Sequence, residues 1–253
     1  MRRDARALPP LSPPDPPPEQ VKRRWREVLS AGERLLEPEA LALLADYGIP
    51  TARTLAATDL DGVLGAARSL GYPVALKTAT ASHKTEVGGV VLGLEDGDAL
   101  SAAYREMARR LGPAATVQEM AVAGVEMALG VVSDPQFGPL VMVSAGGVLI
   151  ETLRDRLLAQ PPLDGARARR LIERLEARPL LDGVRGRPAS DLTALALCMA
   201  RLSLLAHDLG DLIGALDVNP IVVSSQGCLA VDALVEPRDR EALPAAPNWP
   251  LVR

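Results

Sequence analysis

Two of the chain's three lysines and one of its two histidines lie close together, between two short runs rich in Val and Leu. These residues are Lys77, His83 and Lys84. The chain has 25 arginines among its 28 basic residues. Lysine at these positions therefore indicates that they need a compact, mobile ammonium group rather than only a positive charge. Gly88 and Gly89 follow, and paired glycines let backbone N–H groups approach an anion without a Cβ in the way. The pattern predicts a loop that binds phosphate.

The alternative is that these lysines are only solvated in a surface loop, because a motif this short often occurs by chance. The chain contains neither G-x-x-x-x-G-K-[ST] nor G-x-G-x-x-G. The predicted loop is therefore neither of the two common phosphate-binding signatures.

A second group of polar residues, near the end of the chain, has the chemistry of a magnesium site. Asp217 and Asn219 are two residues apart on a predicted strand, so their side chains share one face. If the turn predicted near 225–227 has two residues, Asp232 on the returning strand lies on that same face, opposite or diagonal to Asn219. Mg²⁺ that bridges nucleotide phosphates takes oxygen ligands of this kind. The alternative is that each residue only stabilises a turn or a cap.

Short strands and amphipathic helices must position these groups. The stretch 74–94 has the pattern of a hairpin with a polar tip. Apolar spacing and capping residues predict helices that begin near Glu37, Thr58, Asp98, Asp164 and Ser190. Further strand patterns, separated by turns that contain glycine, cover 116–120, 126–133, 139–144 and 148–152 and predict an antiparallel sheet. The predicted fold class is α+β.

Composition and charge limit the function. Residues 1–18 contain seven of the 22 prolines, and we expect a disordered or extended tail as far as about residue 26. The net charge of the chain is −4, although the tail itself has more basic than acidic residues. The rest of the chain is therefore more acidic than the total, which argues against nucleic acid as a partner. Apolar stretches are interrupted before the roughly 18 residues of a membrane span, and none is expected. Cys198 and Cys228 form no C-x-x-C motif, which indicates buried thiols in the cytoplasm.

Several motifs, in order along the chain, carry a family resemblance. They are LK at 76–77, HKTEVGGV at 83–90, VQEM at 117–120, DPQFGP at 134–139, GG at 146–147, GVRG at 183–186 and LDVNP at 216–220. Together they resemble the ATP-grasp domain of NDP-forming acyl-CoA synthetases, the group that includes acetate–CoA ligase (ADP-forming) and succinyl-CoA synthetase. The resemblance covers about 37–236.

The resemblance implies two lobes with antiparallel sheets that grip ATP or ADP between them. It places Lys77 on nucleotide phosphate, together with the glycines of the loop, and the backbone from Gln118 through Glu119 to Met120 at the adenine edge. Glu126 would bind the ribose hydroxyls. Mg²⁺ would be held by Asn219 and Asp232, with Asp217 supporting them. Charge neutralisation by lysine and metal is how phosphoryl transfer is catalysed.

The resemblance also assigns a catalytic loop. His83, with Lys84 beside it, matches the histidine that family members are thought to phosphorylate while phosphate moves between active sites. Two differences stand out: the loop between Lys77 and His83 is a couple of residues shorter than the family's, and Ser144 replaces the usual glycine before the Gly-Gly pair. The first difference limits the reach of the loop, and the second reduces the flexibility of the nucleotide loop.

Larger family members also carry a CoA-binding domain and a second phosphohistidine domain, and we expect a partner to supply both. The expected division is a Pro-rich tail at 1–30, lobes at 31–115 and 116–236, and a C-terminal tail at 237–253. The leading hypothesis is a nucleotide-handling subunit that acts with a CoA-binding alpha-type subunit in a hetero-oligomer, through which the small carboxylic acid and CoA enter the reaction. The alternatives are a non-catalytic nucleotide-sensing module and a stand-alone ATP-grasp ligase that joins a carboxylate to an amine.

Overall fold

The computed structural model describes residues 14–79, 87–147, 155–183 and 188–238, which form two antiparallel sheets packed against helices. The smaller sheet has four strands and the larger has six. Each sheet has its own hydrophobic core. The predicted α+β fold with antiparallel sheets is confirmed.

The smaller sheet carries the predicted hairpin. Its strands are β1 (Thr54–Ala57), β2 (Val74–Thr78), β3 (Val90–Leu94) and β4 (Ala115–Glu119), in the spatial order β1-β4-β2-β3. Helices α3 (Leu60–Leu70) and α4 (Gly97–Leu111) place Val63, Leu100 and Met107 in the core under this sheet. The hairpin of β2 and β3 is confirmed, with Lys77 opposite Val90.

The larger sheet contains β5 (Val125–Asp134), β6 (Gly138–Ala145), β7 (Arg156–Ala159), β8 (Ile213–Ser224), β9 (Gly227–Ala230) and β10 (Ala233–Pro237). Its spatial order is β10-β8-β5-β6-β7, with β9 also paired to β8. Helices α5 (Gly165–Ile172) and α6 (Leu192–Leu209) pack in its core, and a 3-10 helix spans Arg178–Asp182. The strand predicted at 148–152 lies outside the described residues.

The predicted tail is wrong in its second half, because residues 19–30 are helical. Helix α1 (Glu19–Ser30) places Trp25 and Leu29 in the larger core, with Val21 packed against it. These apolar residues recur every four positions, so they form one face of a helix. Nε1 of Trp25 also donates to Oδ2 of Asp46 at 2.7 Å. The proline-rich composition ends at Pro18, and the helix begins directly after it.

The predicted lobe boundaries also change. Helix α2 (Glu37–Asp46) was assigned to the first lobe, but Ala40, Leu43 and Leu44 lie in the core of the larger sheet. The predicted division at 115/116 cuts β4, which pairs with both β1 and β2. The small lobe is therefore 54–119, and the large lobe combines 19–49 with 125–237. The large lobe is assembled from both sides of the small one in the sequence.

Aspartate caps begin four of the helices. Asp59, Asp96, Asp164 and Asp191 each accept a hydrogen bond from the backbone N–H three residues later. We expected Thr58 and Ser190 as caps for α3 and α6, but the cap is one residue further on in both cases. An ionised carboxylate binds the free N–H groups at a helix start and also interacts favourably with the helix dipole. The apolar spacing predicts that helix α5 runs through Ala177, but it ends at Ile172.

Helix α6 is the central element of the larger core. Among the described residues it alone is long and apolar enough to cross a membrane, but most of it is buried inside the protein. Cys198 of this helix and Cys228 of β9 are both buried and free, as predicted. His207 is exposed in the last turn of the same helix, where a basic residue complements the helix dipole.

Candidate nucleotide site

Lys77 lies between the two lobes and is bonded to both acidic and carbonyl oxygens of the large lobe. It is only 5% exposed. Its Nζ lies 2.8 Å from Oε1 of Glu37 and 2.6 Å from the carbonyl oxygen of Val231. An ammonium group has three N–H bonds. The third meets no acceptor within the described part of the chain.

Gln118 completes the same group of contacts. Its Nε2 lies 3.1 Å from Oε1 of Glu37, 3.0 Å from the carbonyl oxygen of Val231 and 2.9 Å from Oγ1 of Thr54, so its two N–H bonds are shared among three acceptors. We call Glu37, Lys77, Gln118 and the Val231 carbonyl the inter-sheet clamp. Both donors belong to the small sheet and both acceptors to the large lobe.

Asn219 and Asp232 lie opposite each other, as predicted. The backbone N–H of Asn219 donates to the carbonyl of Asp232 at 3.2 Å. The register of β8 shifts after Val218, so two residues, Asn219 and Pro220, oppose one on β5. This bulge turns the strand just where the polar face begins. Asp232 directly follows Val231, whose carbonyl accepts from Lys77, so the backbone that carries the predicted metal residues is bonded to Lys77 one residue away.

Asp217 lies on the same side of β8 as Asn219, between the buried residues Leu216 and Val218. Although the residue has exposed surface, the surrounding protein shields its carboxyl group from part of the solvent, and it makes no ion pair or hydrogen bond with another described residue. Lost hydration raises the pKa of the Asp217 carboxyl above its usual range. The residue opposite on β5 is Gly130, and the Met142 side chain lies 3.2 Å from where a Cβ on Gly130 would be.

The donor set fits Mg²⁺. The described residues contain no cluster of three or more His, Cys, Asp or Glu side chains placed for a metal, so the site depends on two carboxylates and the Asn219 amide oxygen. The amide oxygen accepts one hydrogen bond, from the N–H of Gly147 at 3.2 Å, and has a second lone pair. Mg²⁺ is usually held by one or two carboxylates, with the remaining positions filled by phosphate oxygens and water.

Glu126 is placed against the glycine turn that follows β6. It is exposed on β5, opposite Val222. A Cβ on Gly147 would collide with Oε2 of Glu126, and the φ of Gly147 is +57°. Gly146 is equally restricted, because its Cβ would lie 2.6 Å from the backbone of Met127. Glycine at 147 therefore lets the Glu126 carboxylate and the Asn219 amide approach the same turn.

The segment from Gln118 to Met120 ends β4, where the chain leaves the small sheet for the large one. Both the backbone and the side chain of Glu119 bond to the backbone of Arg53. The N–H of Glu119 donates to the carbonyl of Arg53 at 3.0 Å, and Oε1 of Glu119 accepts from the N–H of Arg53 at 2.9 Å. Met120 follows the last residue of the strand. The backbone predicted to meet the adenine is thus fixed at the junction of the lobes.

The glycine pair has two different environments. The carbonyl of Gly89 accepts from the N–H of Thr78 at 2.8 Å and so extends the hairpin. Gly88 has a φ of +63° and lies beside the Arg110 guanidinium, which donates to the carbonyl of Val87 at 2.9 Å.

His83 and Lys84 lie outside the described residues. Ser144 lies inside β6, buried, and its Oγ donates to the carbonyl of Ala145 at 2.9 Å.

Glu37 is the site residue that the sequence did not identify. It was interpreted only as the start of a helix, and yet it is 3% exposed. A buried glutamate at a helix start requires a cationic partner, but the partner lies 40 residues away. The available signal was the apolar surroundings of an acidic residue at the first turn of α2.

Comparison with known proteins identifies the family. The chain matches the ATP-grasp domain family over residues 27–236. It is 33% identical over 222 residues to subunit beta of acetate–CoA ligase (ADP-forming) II of Pyrococcus furiosus, an alignment that covers 83% of this chain and 94% of the relative. It is 33% identical over 223 residues to acetate–CoA ligase (ADP-forming) I of Archaeoglobus fulgidus, covering 85% of this chain and 32% of the relative. The chain thus spans about a third of that longer protein.

A solved structure agrees with these matches. It is the dinucleotide forming acetyl-coenzyme A synthetase 1 of Ca. Korarchaeum cryptofilum in complex with coenzyme A and Mg-AMPPCP, with its phosphohistidine segment pointing towards the nucleotide binding site. The TM-score is 0.74 at 32% identity, covering 86% of this chain and 100% of that chain. Since both the family and a relative of nearly the same length match, this chain belongs to the ATP-grasp domains of the ADP-forming acetate–CoA ligases.

Proposed function

We propose that this chain is the nucleotide-handling subunit of an ADP-forming acyl-CoA ligase and works in the cytoplasm with a CoA-binding alpha-type partner. The observation that carries the proposal is the position of Lys77 beside the Asn219 and Asp232 pair, with one ammonium N–H that meets no described acceptor. A cation next to a set of hard oxygen ligands suits the β- and γ-phosphates of a magnesium nucleotide. The small carboxylic acid and CoA would bind through the partner.

The remaining contacts follow from the lobe junction. The backbone of Gln118, Glu119 and Met120 would bind the adenine edge, and Glu126 the ribose hydroxyls. Gly88 and Gly89 would border the phosphates, with Arg110 close by. Bound Mg²⁺ would neutralise phosphate charge, held by Asn219 and Asp232 and supported by Asp217.

His83 is the proposed phosphate carrier, with Lys84 offsetting phosphate charge. A neutral imidazole is a competent nucleophile near pH 7, because its reference pKa is about 6.5. One of its ring nitrogens forms a bond to phosphorus as the partner's phosphohistidine bond breaks. That new bond then breaks when the terminal phosphate oxygen of ADP attacks, which gives ATP and restores the imidazole. The reverse sequence phosphorylates the partner.

The test is a labelling experiment with the purified chain, its co-purifying CoA-binding subunit, Mg²⁺ and radiolabelled ATP. We expect acid-labile, base-stable label on this chain, lost in His83→Ala and kept in His207→Ala, the control in the chain's other histidine. Label that persists in His83→Ala would contradict the assignment. Nucleotide binding without any label would support the nucleotide-sensing alternative.

A further inference from the structure

We infer that Glu37 is a positioning residue for the nucleotide site, which aims the Lys77 ammonium and fixes the small sheet against the segment that carries Asp232. This inference extends the proposed function to a residue that has no contact with nucleotide in that proposal. It rests on the inter-sheet clamp.

In the clamp, two donors share the same two acceptors. One oxygen of Glu37 accepts from both Lys77 and Gln118, at 2.8 and 3.1 Å, and the Val231 carbonyl accepts from the same two donors, at 2.6 and 3.0 Å. Each donor is therefore held between the same two acceptors. Movement of either sheet relative to the other would lengthen several of these bonds at once.

Burial makes the arrangement rigid. The side chains of Lys77 and Glu37 are 6% and 1% exposed, and Gln118 is 2% exposed. In such surroundings a charged group must be paired, and removal of one partner leaves an uncompensated charge. Moving the Lys77 ammonium away from Glu37 would therefore be costly, and its two bonds to Glu37 and Val231 restrict the direction of its third N–H.

The elements that carry the acceptors connect the clamp to the metal residues. Glu37 is at the start of α2, whose apolar residues lie in the larger core. Val231 lies between β9 and β10, directly before Asp232, and its N–H donates to the carbonyl of Pro220 at 3.1 Å. The clamp thus fixes the Lys77 ammonium relative to the Asn219 and Asp232 pair. Among the described residues, loss of the Glu37 charge in Glu37→Gln would leave Lys77 only neutral large-lobe acceptors, the new amide oxygen and the Val231 carbonyl, so its buried charge would no longer be compensated.

The test measures Mg-ADP affinity by calorimetry, on the full chain, at a temperature where each variant is folded. We expect Glu37→Gln to weaken binding about tenfold, as is usual for loss of a residue that orients a ligand-binding group. Glu39→Gln is the matched control, because Glu39 lies in the same helix turn, is exposed, and bonds only the N–H of Leu36 at 3.1 Å among the described residues. Its binding should be unchanged.

If Glu37 acts by positioning Lys77, the effects of substitutions at these two residues on Mg-ADP affinity should not add. A general loss of stability would not produce this result. In a Lys77→Met background, Glu37→Gln should weaken Mg-ADP binding much less than tenfold, because only its contact with Gln118 is then left to lose. An equal tenfold loss in that background would show that Glu37 acts elsewhere. Unchanged or tighter binding in the single variant would show that Glu37 only competes with phosphate for Lys77, and would overturn the inference.

A measurement without nucleotide separates this inference from the proposed function. Amide hydrogen exchange of the segment 229–235 should be faster in Glu37→Gln than in wild type and unchanged in Glu39→Gln, because the clamp holds the Val231 carbonyl. If wild type binds no Mg-ADP, the proposed function is wrong, and the exchange data alone then decide whether Glu37 fixes this segment. Equal exchange in all three proteins would contradict the clamp.

Discussion

The side-chain oxygen of Asn219 accepts a hydrogen bond from the backbone N–H of Gly147, at 3.2 Å. The two residues are 72 positions apart in the chain. This contact joins the predicted metal face of β8 to the glycine turn after β6, where Glu126 also lies. The predicted metal ligand and the predicted ribose ligand therefore meet at one glycine.

Gly147→Ala should weaken Mg-ADP binding about as much as Glu126→Ala does, because the new Cβ would occupy the place of the Glu126 carboxylate. Positive φ adds a strain of about 1 kcal/mol. Gly93→Ala is the control, since Gly93 has a φ of +69° and no atom within 4 Å of a built Cβ. Calorimetric titration of the three variants checks this. An affinity loss in Gly93→Ala equal to that in Gly147→Ala would reject the steric explanation.

Asn219→Ala and Asp232→Asn should each weaken ADP binding about tenfold or more in the presence of Mg²⁺ and much less in EDTA, because in the proposed site the lost oxygen would be a metal ligand. Asp217→Asn should have a smaller effect, as a supporting group. The control is Asp61→Asn, a change at an exposed carboxylate of the small lobe. Equal affinities for wild type, Asn219→Ala and Asp232→Asn with Mg²⁺ present would reject the metal assignment.

Trp25→Ala should lower the free energy of unfolding by about 3 kcal/mol, because Trp25 is 4% exposed in the larger core. Removal of residues 1–26 should destabilise the protein by a similar amount. Arg23→Ala, on the exposed side of the same helix, is the control and should have little effect. Urea unfolding provides the measurement. Equal midpoints for wild type and Trp25→Ala would show that α1 does not dock in solution.

The contribution of the Arg26 and Asp211 pair should depend on pH. Nη2 of Arg26 lies 2.5 Å from Oδ2 of Asp211, and this hydrogen bond holds the pKa of the Asp211 carboxyl below its usual range. A lowered folded-state pKa means that the stabilisation is present above the unfolded value of about 3.9 and is lost as pH falls through the folded one. Both side chains are well exposed, so the effect at pH 7 should be about 0.5 kcal/mol.

The measurement for this pair is the unfolding free energy of wild type minus that of Asp211→Asn between pH 7 and pH 2. The difference should be constant to about pH 5 and should disappear at the acid end. In an Arg26→Met background the same substitution should give a smaller pH dependence, because the Arg26 hydrogen bond is the largest cause of the lowered pKa. A difference that grows as the solution is acidified would contradict the sign of the shift.

Local patterns determined much of this fold before any contact was known. Strand alternation placed Asp217 and Asn219 on one face and gave the hairpin of β2 and β3, because neighbouring residues alone set both features. Helix periodicity predicted α2, α4 and α6. It was overlooked in α1, where the proline composition of the first 18 residues was extended too far, although the spacing of Val21, Trp25 and Leu29 was already in the sequence.

Contacts between distant parts of the chain were decided only by the tertiary structure. The Glu37 carboxylate bonds to Lys77 and Gln118, which are 40 and 81 positions away in the chain. Val231 completes the clamp through its backbone carbonyl, so its residue type gives no sign of this role. Nothing in the order of residues indicated that α2 would pack in the core of the large lobe rather than the small one. The sequence predicted which residues bind phosphate and metal. Folding decided which buried charge would hold the lysine in place, because pairing across two sheets depends on where the lobes meet.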